Sequence, residues 1–129
     1  MYFDIPIDIY KRGVSVYVGE DKTNLADWLN HLEDDKEVVK KAIEENADAQ
    51  ALTITLKADV AVYVPLEPSS AKNISILCHE LFHATTRILA FVDIEPSRES
   101  EEAYTYLHEY LCKQCFDELG LEFITKQTQ

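Results

Sequence analysis

The sequence predicts an α+β domain. Three observations carry this: alternating apolar and polar stretches near the start, two β-branched runs near the middle, and longer segments whose apolar residues recur at helical spacing. A chain of 129 residues is long enough for one core, so the expected organisation is a single domain over residues 1–129. Its 47% hydrophobic content and three glycines argue against disorder.

The elements follow in order. "FDIPIDIY" and "GVSVYVG" alternate and are bounded by Gly13 and Gly19, as a pair of short strands would be. From Thr23 to about Asn46, Leu25, Trp28, Leu29 and Leu32 share one helical face, and the acidic run at 33–35 divides the segment into two helices. "ALTITLKADVAVYVPLE" holds two β-branched runs around Lys57-Ala58-Asp59, a hairpin of short antiparallel strands ended by Pro65, Pro68 and the serines at 69–70. A helix is expected from about Lys72 to Val92, and another from about Ser97 to Leu119, stopped by Gly120.

Charge and cysteines narrow the function classes. The net charge is −12, with acids outnumbering bases two to one, so nucleic acid is not an expected partner. Cys78, Cys112 and Cys115 make no even disulfide framework. The opening "MYFDIPIDIYKRG" lacks the pattern of a secretory signal, and no apolar run is long enough to cross a bilayer. The expectation is a soluble, reduced, cytoplasmic chain without a membrane partner. Cys112 and Cys115 read as small apolar residues, Cys78 as core, and His31 as a surface residue.

The stretch "CHELFHATTR" carries the chemistry. At 100° per residue, Leu77, Leu81, Ala84, Ile88 and Phe91 cover one side of this helix, and Cys78, Phe82 and Leu89 a second. A narrow polar strip remains, holding His79, Glu80, His83 and Arg87. A surface helix keeps a broad polar face, so this helix is expected at the centre of the core with its strip toward a cleft. His79 and His83, at i and i+4, can offer nitrogens to one zinc ion. Glu80 is rotated off the metal axis and suits a general base acting on water.

Catalytic zinc takes three protein ligands. Thr86 and Leu89 occupy the positions where a His-x-x-Gly-x-x-His continuation would need Gly and His, which leaves a carboxylate from the next helix. The expected apolar stripe of that helix is Ala103, Tyr106, Leu107, Tyr110 and Leu111. Glu102 lies at its edge in line with Tyr106, whereas Glu101 points about 100° further round. Glu102 is therefore the expected third ligand, with Glu101 second.

"HELFH" followed by "EEAY" on the next helix resembles the gluzincins, zinc metallopeptidases whose third ligand is a Glu. The wider stretch over residues 60–118 is similar to small zincin-like proteins of phages and prophages. The resemblance implies a small zincin-like domain with a strand, here Val60–Leu66, bordering the cleft. It also implies zinc held by His79, His83 and Glu102, with Glu80 as catalytic base. In many gluzincins an acidic residue follows the third ligand by one turn; here Tyr106 stands there. Tyr106, Tyr63, His108 and Arg87 are candidate oxyanion donors, and Tyr106 is carried forward beside Glu80 as a catalytic candidate. The expected function is zinc-dependent hydrolysis of a peptide or protein substrate. The alternative is a catalytically silent zincin-fold binding or regulatory protein.

Overall fold

The computed structural model describes residues 1–19, 22–65 and 70–121. The two alternating segments at the start form β1 (Tyr2–Ile7) and β2 (Arg12–Val18), paired antiparallel through a 3-10 turn at Asp8–Tyr10. The β-branched runs form β3 (Leu52–Thr55) and β4 (Val60–Val64), also antiparallel, with the Leu56 N–H donating to the Asp59 carbonyl across the loop at 2.8 Å.

The two hairpins join into one sheet of order β1-β2-β4-β3, with β2 parallel to β4 from Val14↔Val60 to Val18↔Val64. The sheet is thus mixed, where short antiparallel strands were expected. Each hairpin is closed by a short local turn. Between β2 and β4 the chain makes a long crossover, which permits a parallel pair. The strand at Val60–Val64, expected to border the cleft, is internal, and the sheet's edges are β1 and β3; Leu66, Pro68 and Ser69 lie outside the described residues.

The crossover contains α1 (Leu25–Leu32) and α2 (Lys36–Glu45). The acidic break between them has a structural use. Glu33 is extended, and its carboxylate accepts from the backbone N–H of Lys57 at 2.9 Å and of Asp35 at 3.1 Å. Asp35 then caps α2 by accepting from the Glu37 N–H.

The motif segment is α3 (Ala71–Phe91), capped by Ser70, whose Oγ accepts from the Asn73 N–H. It ends in a Schellman motif: the Ile94 N–H bonds the Leu89 carbonyl and the Asp93 N–H bonds that of Ala90, with Asp93 left-handed at φ 59°. The last helix, α4 (Glu101–Glu118), starts later than expected because a turn at Ser97–Ser100 precedes it, held by Ser100 Oγ on the Glu95 carbonyl at 2.6 Å. Gly120, at φ 67°, closes α4 in the same manner as Asp93 closes α3.

Sheet alternation divides the core into two layers. Ile5, Val14, Val16, Val60 and Val62 pack with Leu77, Leu81, Ile88 and Leu111 of α3 and α4. Tyr17, Leu52, Ile54 and Tyr63 face the other way, onto Leu25, Trp28, Leu29 and Val39 of α1 and α2. Fully burying each such side chain contributes about 1.5–3 kcal/mol. Among the described residues, no helix is long and apolar enough to cross a membrane.

Candidate metal centre

On α3 the sheet-facing side is as the sequence suggests: Leu77, Leu81, Ala84 and Ile88 are fully buried. The second apolar side is only partly covered, since Phe82 remains 45% exposed. The helix is not enclosed on all sides, and the histidine side of its polar strip is open. The His79 side chain is 67% exposed, and His83 is partly exposed.

Glu80 differs from the histidines. It is buried, with its Oε2 3.9 Å from His79 Nε2. The two Nε2 atoms of His79 and His83 are 3.1 Å apart. Two imidazole nitrogens bound tetrahedrally to zinc at 2.0–2.1 Å are about 3.3 Å apart, so the pair already stands near ligating separation. Among the described residues, His79, Glu80 and His83 form the one group of possible ligands whose ligand atoms all lie within 4.8 Å of one another. Two imidazoles beside a carboxylate suit a borderline cation such as zinc.

The carboxylate is held by β3, an edge strand. Thr53 Oγ1 lies 2.8 Å from Glu80 Oε1 and 3.0 Å from the Glu80 carbonyl oxygen, with one proton for the two acceptors. Two residues on, Thr55 Oγ1 accepts from Arg87 Nη1 at 2.8 Å. Leu52 and Ile54 face α1 and α2, so Thr53 and Thr55 face α3 and fasten β3 to its polar strip. Neither threonine is singled out by the sequence. The alternation in "LTIT" places them on a common face, but nothing local says which helix that face meets.

No acid of the first turn of α4 is among the residues whose ligand atoms gather with His79, Glu80 and His83. The apolar stripe is formed by Tyr104, Leu107, Leu111 and Cys115, rotated roughly 75° from the expected one. Tyr106 and Tyr110, counted toward that stripe, are 66% and 37% exposed, because a tyrosine ring can lie on a surface and keep its hydroxyl wet. With the stripe moved, Glu102 lies about 180° from its centre and is exposed. His108 Nε2 donates to the Cys78 carbonyl at 3.0 Å, so His108 is the α4 residue beside Cys78. Glu101 is exposed as well.

The oxyanion candidates separate likewise. Tyr63 is buried, with its hydroxyl on the Gly19 carbonyl. His108 is committed to Cys78, and Tyr106 lines a groove with Ile9, Tyr10 and Tyr110. Of the four, Arg87 shares the strip with His79 and His83.

Beneath the strip, Cys78 and Cys112 meet between α3 and α4 with Sγ atoms 3.9 Å apart. Burial, with Cys78 alongside, pushes the Cys112 thiol up to about 12. Cys115 is fully buried, in keeping with its reading as an apolar residue. Comparison with family models, with curated proteins and with solved structures finds no match to this chain.

Proposed function

We propose that the chain is a zinc-dependent hydrolase of peptide bonds, of the zincin type, with His79 and His83 as metal ligands and Glu80 as general base. The observation that carries this reading is the pairing of the two Nε2 atoms at 3.1 Å beside a buried carboxylate. A bound zinc ion would supply Lewis acidity, lowering the pKa of water and polarising a carbonyl. Glu80 would take the proton of the attacking water on Oε2, while Thr53 fixes the opposite oxygen. Arg87 would offer a cationic donor to developing negative charge. The outer edge of β3, beside the strip, would accept an extended peptide as an added strand.

The position of Glu102 favours a second reading, a metal-dependent binding protein without turnover. Two protein ligands leave more of the coordination sphere to a bound partner than a three-ligand site does. One experiment separates the readings. Protein stripped of metal is loaded with zinc and offered a peptide library, alongside Glu80→Gln. The hydrolase reading expects cleavage that falls about 100-fold or more in Glu80→Gln, with zinc still bound. Zinc-dependent peptide capture without cleavage supports the binding reading, and failure to take up zinc rejects both.

A further inference from the structure

The thiols of Cys78 and Cys112 sit on two different helices, yet their sulfur atoms are 3.9 Å apart. Both side chains are half-buried, whereas Cys115 is fully buried. A disulfide needs sulfurs at about 2.05 Å and Cα atoms within about 7 Å. From 3.9 Å the sulfurs have to approach by about 1.9 Å to reach bonding distance. The backbone there is already tied by His108, which bonds the Cys78 carbonyl and lies 3.5 Å from Cys112 Sγ. The residues are 34 apart in sequence, so no local helix geometry opposes the bond.

We propose that Cys78 and Cys112 are a redox-sensitive pair that forms a reversible disulfide stapling α3 to α4. The oxidant is hydrogen peroxide. It converts the Cys78 thiol to a sulfenic acid and releases water; the Cys112 sulfur, giving up its proton, attacks the sulfenic sulfur, forming the S–S bond and releasing a second water. Both sulfurs are oxidised by one electron each, the peroxide oxygens are reduced to water, and the two thiol protons leave in that water. A dithiol reductant reverses the step by exchange. The bond clamps the turn that carries His79 against α4, and its formation does not depend on the metal reading.

The test uses the full chain. Reduced protein is treated with hydrogen peroxide, unfolded, alkylated and mapped by mass spectrometry. Three alkylated cysteines before oxidation should become one, Cys115, with a Cys78–Cys112 cross-linked peptide in a monomer. Dithiothreitol should restore all three. Cys115→Ser should still form the bond and Cys112→Ser should not. Three free thiols after oxidation, sulfinic acid at Cys78 or Cys112 without a cross-link, or a bond joining Cys115 or two chains would overturn the proposal.

Discussion

Thr53 Oγ1 on β3 and Glu80 Oε1 on α3 stand 2.8 Å apart, joining an edge strand of the sheet to the buried carboxylate of the motif helix. Thr53→Val keeps the shape and removes the donor. It should destabilise the fold by about 1–3 kcal/mol, the cost of leaving a buried acceptor short of a partner. Urea unfolding measures this, and Thr53→Ser should recover most of the loss. A Thr53→Val protein as stable as the parent would show that the contact carries no net energy.

Zinc affinity should respond unequally to the named ligands. Loss of a residue that only supports a ligand costs 10–100-fold, so His79→Ala or His83→Ala should each cost about 100-fold or more. Glu102→Ala should stay within about twofold of the parent, because that side chain is exposed and stands outside the His79–Glu80–His83 group. Competition against a chromophoric chelator gives all three numbers. A large loss in Glu102→Ala would instead mean that the first turn of α4 moves to the histidines.

Asp93 holds a left-handed backbone at φ 59° where a helix end usually has glycine. Asp93→Gly should therefore stabilise the chain by about 0.5–1 kcal/mol, seen as a Tm higher by a few degrees. Gly120→Ala, at φ 67°, should change stability in the opposite direction by a similar amount.

Acid should loosen the junction between α1, α2 and the second hairpin. The Lys57 N–H, and then the Asp35 N–H, hold the Glu33 carboxyl below its ordinary 4.5. Asp35 is lowered too, first by its bond to the Lys57 ammonium at 3.0 Å. A carboxylate with a depressed folded pKa contributes stability above its unfolded value and loses it as pH falls through the folded one. Stability should thus decline below about pH 4.5, and Glu33→Gln should lower stability at neutral pH while flattening that decline. Chemical unfolding at several pH values tests this. Added salt should screen the exposed Asp35–Lys57 pair and leave the Glu33 bonds largely intact.

The sequence by itself determined most local features. Alternation set β1 and β2, β-branched runs set β3 and β4, the acidic run at 33–35 split two helices, and Gly120 ended the last one, because each signal acts within a few residues. It also placed His79, Glu80 and His83 on one polar strip, since i and i+4 positions on a helix are neighbours whatever surrounds them. Tertiary structure decided what that strip meets. The order β1-β2-β4-β3 made β3 an edge strand and brought Thr53 to Glu80, a pairing 27 residues apart that no window on the sequence spans. The docking of α4 was decided the same way. Its tyrosines read as apolar by their spacing, but packing buried Tyr104 and Cys115 and left Tyr106 wet, and with that rotation Glu102 is exposed on α4. An amphipathic ring satisfies either face, so only the competition for core volume beneath α3 could choose between them.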